Sequence, residues 1–349
     1  MEHRNFSAVV FVGYAGQFGW KYGIASTWIG IGNALIGSLL AWVVLGRRTK
    51  VMTQHLGSRT MPDFFGERYK SKSLKITASV IVFVFLIPYT ASVYNGLSRL
   101  FAMAFNIPYT WCVVTMAAFT ALYVILGGYM ATAINDFIQG IIMLIGIVAV
   151  IAAVLNGQGG FMNAIAEMAK IPSDVPLTQG QPGAFTSFFG PDPVNLLGVV
   201  LLTSLGTWGL PQMIGKFYAI KDEKSISTGT IISTIFAIII SGGCYFLGGF
   251  GRLFDSPEIY DKAGGAVVYD SIIPHMLSML PDLLIGVVVV LVLSASMSTL
   301  SSLVLTSSST LTLDLLKDNI MKKNEREKAD CDNAGFNRVF YCCLSCDRA

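Results

Sequence analysis

Residues 294–314 read SASMSTLSSLVLTSSSTLTLD, directly after IGVVVVLVL at 285–293. An apolar run becomes a row of hydroxyls without any residue that would end a helix. On a helix of 3.6 residues per turn, Ala295, Ser298, Thr299 and Ser302 share a face. Ser301 stands one turn from Ser298. Two readings fit this strip. Ser and Thr can bond back to carbonyls of their own helix, and small residues line helix–helix interfaces in membranes. Alternatively, neutral hydroxyl and carbonyl oxygens suit a small hard monovalent cation such as sodium. Calcium would call for more carboxylates, and zinc for Cys or His.

The rest of the chain sets the environment of that strip. Of 349 residues, 53% are hydrophobic and 13% charged, and mean hydropathy is +0.62. Soluble domains carry about 25% charged residues. The composition therefore predicts an all-α polytopic membrane protein. Net charge is +3, and no long basic run with interleaved aromatics points to nucleic acid. The opening MEHRNFSAVVFVG lacks the apolar length and cleavage site of a signal peptide.

A bilayer core needs about 20 apolar residues per helix. Candidate spans fall at 22–46, 76–105, 109–126, 134–155, 194–218, 226–250 and 282–316, with a shorter apolar piece at 6–16. Lys and Arg crowd 47–75, 216–224 and the stretch after 316, whereas 156–192 and 251–281 hold only Lys170, Arg252 and Lys262. Crossing parity puts the three basic stretches on one side, which the positive-inside rule makes cytoplasmic. FMNAIAEMA at 161–169 reads as a surface helix, and AVVYDSIIPHML at 266–277 as a helical lid or re-entrant piece. His275 has no partner at ligand spacing.

Two further features lie at membrane depth. In GTWGLPQMIGK, 206–216, Pro211 and two glycines fall inside a span. Pro removes a donor and Gly weakens the helix. Either the helix kinks there, or it is discontinuous in the way transporters build midplane sites. In GGYMATAINDFIQG, 127–140, Asp136 stands where a span begins. It reads as an N-cap acid or as a carboxylate beside a cation path.

Together, FSAVVFVGYAG, TMPDFFGERY, GGYMATAINDFIQG, TWGLPQMI and SASMSTLSSLVLTSSSTLTLDLLK resemble the sodium:solute symporter family over residues 6–318. The proline and pantothenate branches are the nearest in feel. The resemblance implies a LeuT-type fold of two inverted five-helix repeats, each opening with a broken helix. Residues 6–16 would be the second half of the first core helix, and the later spans would be core helices two to eight. It also implies a sodium site formed by the backbone near Phe6, the Ala295 carbonyl, and the Ser298 and Thr299 hydroxyls. An additional sodium position would use Asp136, Ser298, Ser301 and Ser302. Val10, Ser204, Thr207 and Trp208 match substrate-side positions, and Tyr94 and Arg99 could face the same site. Val10 is apolar where sugar-transporting members carry Gln, which argues against a sugar.

The implied function is sodium-coupled import of a small organic solute, proline-like or pantothenate-like, by alternating access. Sodium would be the coupling ion, with no organic cofactor. The expected partners are the solute, sodium and the lipid bilayer of a bacterial inner membrane. A proton-coupled carrier of the same fold is the alternative, followed by a channel or a sensory membrane domain. No HExxH, GxSxG or paired acids suggest an enzyme. Both ends depart from the family pattern. The core is expected at 1–318, as an incomplete fold lacking the first half of core helix one and helices nine onward. Residues 319–349 are expected as an aberrant cytoplasmic tail. A one-nucleotide shift of frame would make ADCDNAGFNRVFYCCLSCDRA encodable as an apolar ninth helix. On that expectation the chain alone does not complete a transport cycle.

Overall fold

A computed structural model describes residues 14–105, 108–220, 223–261, 265–311 and 314. Phe6, Val10 and the tail at 319–349 lie outside the described residues. The described residues form helices α1 (Ala15–Tyr22), α2 (27–56), α3 (Met61–Tyr69), α4 (Lys72–Phe105), α5 (Tyr109–Gly157) and α6 (Phe161–Ala169). They continue with α7 (Pro193–Gly206), α8 (Pro211–Ala219), α9 (223–249), α10 (Tyr269–Ser278) and α11 (Asp282–Ser309). Among the described residues, five helices are long and apolar enough to cross a membrane, or six if the bent pair α7–α8 is one span. The stretch expected as a span at 109–126 contributes a shorter apolar helix, 110–120.

Three boundaries follow from local chemistry. The opening half-helix, expected to end at residue 16, continues to Tyr22. Nothing in AGQFGWKY stops it until Gly23, whose φ of +62° only glycine adopts without strain. The helix then restarts as α2, which passes through π turns at Asn33–Leu40 and Trp42–Gly46. The expected break near Pro211 is present: α7 gives way to a 3₁₀ turn at Thr207–Gly209, and Leu210 is extended at ψ 124°. A residue preceding proline is pushed out of the helical region, so the break falls at Leu210 and the axis bends by 52°.

The helical pattern of α5 runs without a break through 127–133, and Asp136 sits inside it rather than at an N-cap. Gly127–Gly128 weakens a helix but supplies neither a missing donor nor a cap. The axis of α5 is nevertheless not straight. A straight α5 would hold Met116 and Ile147 about 46 Å apart, yet both belong to one apolar cluster with Val288, Leu291 and Val292 of α11. Likewise Thr120 meets Tyr94 of α4, while Asp136 meets Ser301 of α11.

Close packing joins the outer half-helix to α9. A Cβ on Gly19 would collide with the Gly248 backbone, and one on Gly248 with the Ala15 backbone. Ser26, fully buried, donates to Gly23 O at 2.7 Å and to Tyr245 O at 2.9 Å. Small residues let helices approach in lipid, where apolar burial drives little association.

The side opposite the basic stretches is closed by a lid. Helix α6, expected as a surface helix, buries Ala164 and Met168 against Phe185 and Phe250. Arg252 ties this lid to α1. Its Nε donates to Trp20 O at 2.6 Å and its Nη2 to Asp174 Oδ1 at 2.6 Å. The guanidinium also lies 4.7 Å from the Trp20 ring and 3.9 Å from the Phe185 ring. Burial pulls its pKa below the ordinary value, and Asp174 opposes that pull.

Candidate functional site

The hydroxyl strip is helical throughout, as its spacing predicts. Ser298 Oγ donates to Ala295 O at 3.2 Å, and Thr299 Oγ1 donates to the same carbonyl at 3.0 Å. Three oxygens from one helical turn therefore cluster at a single point. One turn on, Ser301 Oγ donates to Ser298 O and Ser302 Oγ to Thr299 O, each at 2.9 Å. The hydroxyls of Thr306, Ser307 and Ser308 do the same with carbonyls at 302, 303 and 305. Back-bonding is thus the rule along the strip.

Asp136 comes to this strip from α5. The Ser301 hydroxyl of α11 lies beside its carboxylate, and the Lys216 ammonium of α8 is within electrostatic reach. One carboxylate oxygen, Oδ1, is shielded from solvent and accepts no hydrogen bond. Unpaired buried carboxylate oxygen is costly, so this atom is placed to receive a donor or a cation. The structure therefore brings Asp136 and Ser301 together, beside the turn that carries Ser298 and Ser302.

Tyr94 reaches the same region from α4. It packs against both the α11 cluster and Leu300–Leu303. It also lines a groove of about 460 Å³ with Thr90, Val304, Ser307 and Ser308. Ser204, Thr207 and Trp208 point elsewhere. Ser204, 0% exposed, donates to Asn33 Oδ1 at 3.1 Å. Thr207 Oγ1 lies 3.4 Å from Gly37 O, and Trp208 Nε1 donates to Ile36 O at 2.8 Å. Ser204 and Trp208 pin the broken helix to one face of α2, while Thr207 Oγ1 donates to Ser204 O at 2.8 Å. They do not join Tyr94 or Ala295.

Lys216, Asn33 and Gln212 were missed by the sequence reading. Gln212 directly follows the break, where its side chain meets Tyr89 of α4. A polar side chain beside a helix-breaking proline was the available signal. Lys216 lies five residues beyond Pro211 in GTWGLPQMIGK, where by sequence it belongs to the basic stretch 216–224. Among the described residues no cluster of three or more His, Cys, Asp or Glu could hold a metal ion. A sodium site built from hydroxyls and carbonyls falls outside that chemistry.

With a discontinuous helix, an oxygen-lined strip and several candidate spans in place, the class is that of a polytopic helical membrane protein. The chain matches the Sodium:solute symporter family over residues 2–339 and belongs to that family. The match runs past residue 318 into the stretch set apart above as a tail. Similar proteins include a sodium/proline symporter of Staphylococcus aureus, 31% identical over 318 residues. A second, sodium/proline symporter 2 of Staphylococcus saprophyticus, is also 31% identical. The first alignment covers 88% of this chain and 58% of the relative, so the chain spans little more than half the length of such proteins. Among solved structures, a substrate-bound, outward-open Na+-coupled sialic acid symporter has the same fold, with a TM-score of 0.67 at 16% identity. The superposition covers 97% of this chain and 72% of that one. The chain is a multi-pass membrane protein with bacterial relatives.

Proposed function

We propose that this chain carries the sodium-binding core of a secondary transporter that imports a small amino acid such as proline. The observation that carries the reading is the meeting of Ala295 O, Ser298 Oγ and Thr299 Oγ1 within one turn of α11. Membership of the sodium:solute symporter family supports it, as do relatives named as sodium/proline symporters. Asp136 of α5, with Ser298, Ser301 and Ser302 of α11, forms a second cation position. In the reading, sodium joins the first half-helix to α11 and favours one orientation of the carrier. Coupling then requires different sodium affinity in the two orientations.

The test is binding of ²²Na+ and of radiolabelled proline to the purified chain, alongside sodium-driven proline uptake in proteoliposomes. Replacing Ser298 and Thr299 together by Ala weakens sodium binding roughly tenfold or more, since two oxygen ligands are removed. Equal sodium affinity in the double variant refutes the ion site. Sodium binding with neither proline binding nor proline uptake overturns the substrate and retains the ion site.

A further inference from the structure

Two family-like motifs have no role in the site just described: TMPDFFGERY at 60–69 and the end of the hydroxyl strip at Asp314. They are 254 residues apart in sequence and meet in space. Thr60 Oγ1 donates to Asp314, 2.9 Å from Oδ1 and 2.7 Å from Oδ2. Lys75 Nζ of α4 lies 2.7 Å from Asp63 Oδ1 and 3.8 Å from Asp314 Oδ1. Asp63 Oδ2 accepts from Arg59 N at 3.1 Å. Tyr218, near the end of α8, is within electrostatic reach of Asp63 and Asp314. Its carbonyl accepts Lys50 Nζ at 3.1 Å.

The ordinary explanation covers half of this cluster. Thr60 is the N-cap of α3, accepting Asp63 N at 3.1 Å, and Asp63 is an acid of the first turn. Capping accounts for those two residues. It does not account for Asp314, which is 1% exposed. A carboxylate so buried is expensive, and replacing a buried ionic group with apolar residues is often neutral or stabilising. Packing alone gives no reason for a charge here. Its position does. Asp314 lies five residues beyond Ser309 of the helix that carries the sodium strip, and its partners are Thr60 at the start of α3 and Lys75 of α4. The inner half of the broken helix arrives beside them through Tyr218 and Lys50. These are the elements that must separate for a site at mid-membrane to open towards the basic side.

We propose that Thr60, Asp63, Lys75 and Asp314 form a latch that holds the cytoplasmic face shut, and that its release is a step in opening that face. The side is the one the Lys and Arg distribution assigns to the cytoplasm. The proposal rests on the alternating-access reading above. The four residues position the helix ends and do not touch sodium or solute.

Thr310, one turn inward of Asp314 and 1% exposed, is the reporter. The four tail cysteines are replaced by Ser in the full chain, and Thr310→Cys is labelled by an impermeant thiol reagent in sodium-free inside-out vesicles. Thr60→Asp keeps an N-cap residue but faces Asp314 with a second carboxylate. It should raise the labelling rate about ten- to a hundredfold, as should Asp314→Asn. Thr60→Ser keeps both cap and donor and should label slowly. A second reporter, Gln17→Cys on outer half-helix α1, should label more slowly from outside in the released variants. The latch is overturned if Thr60→Asp labels at the parental rate or if Thr60→Ser labels as fast as Thr60→Asp. It is also overturned if Gln17→Cys is unmoved, since that marks local melting of the cytoplasmic ends. Because no sodium is present, these results stand apart from the ²²Na+ test. Loss of the ion site leaves the labelling pattern intact.

Discussion

Gly248→Ala tests the packing that positions the first half-helix. The added Cβ would overlap Ala15 O, lie 2.6 Å from Ala15 C and 3.1 Å from Ala15 Cα. All three are backbone atoms and cannot rotate away. Relief requires α1 to shift by roughly 1 Å, and overpacking of this kind costs about 1–3 kcal/mol. At roughly 2–4 °C per kcal/mol for a chain of some 150–250 residues or more, the midpoint of thermal unfolding in detergent falls by about 2–12 °C. Two other glycines calibrate the result. Gly243→Ala meets Ile147 Cγ1 at 3.0 Å and Ile151 Cδ1 at 3.3 Å, both side-chain atoms that can give. Its cost should stay below about 1 kcal/mol. Gly286→Ala meets nothing within 4 Å and should gain up to about 1 kcal/mol from helix propensity. The order Gly248, Gly243, Gly286 is the prediction. If Gly248→Ala unfolds with Gly286→Ala, the backbone contact between α1 and α9 does not hold the half-helix, and the reasoning fails.

Two more outcomes follow from the same contacts. Arg252→Ala loses a charged hydrogen bond to Trp20 O and two ring contacts, for about 2–4 kcal/mol in total. Asp174→Asn removes only an ion pair whose acid is 63% exposed and should cost about 1 kcal/mol or less. Protease nicking between residues 171 and 192 should therefore accelerate far more in Arg252→Ala than in Asp174→Asn. Equal rates would show that the ion pair, not the Trp20 carbonyl, holds the lid. Trp208→Phe keeps the ring but loses the 2.8 Å donor to Ile36 O. It should lower thermal stability by about 1–2 kcal/mol and leave ²²Na+ affinity within about twofold, because Trp208 is not at the ion strip.

The parts of this architecture that sequence reveals are those with a local cause. Pro211 forces Leu210 out of the helix, so the broken span was legible from a tripeptide. The hydroxyl strip keeps helical spacing, so its shared face was legible too. Asp136 near a glycine pair resembled an N-cap, but its helix continues around it. The bend of α5 is set by what packs on either side, Thr120 against Tyr94 and Asp136 against Ser301. No local signal carries that. Pairings across the chain are silent for the same reason. Asn33 and Ser204 stand 171 residues apart, and neither is periodic with its neighbours. Ser204, Thr207 and Trp208 match substrate-side positions only through the resemblance to the family. Ser204 and Trp208 donate to α2, whose π turn presents Asn33 and Ile36 to them, and Thr207 donates to Ser204 O.

Back-bonding along α11 looks at first like an argument for packing over sodium. The donor and acceptor inventory says otherwise. A hydroxyl has one proton and two lone pairs. Ser298 and Thr299 give their protons to Ala295 O, which leaves their lone pairs directed away from their own helix. A cation needs oxygens presented in that way, acceptor side outward. The packed geometry and the ligating geometry are therefore the same for these two residues. The Ala295 carbonyl is the crowded partner. Inside a regular helix it also accepts the backbone N–H four residues on, so three donors converge on two lone pairs. For that carbonyl to turn towards an ion, at least one hydroxyl proton has to leave it. Sodium at this turn would rest first on Ser298 and Thr299, with Ala295 joining only as a hydroxyl rotates. The side-chain oxygens are thus the atoms whose removal separates an ion site from a packing strip.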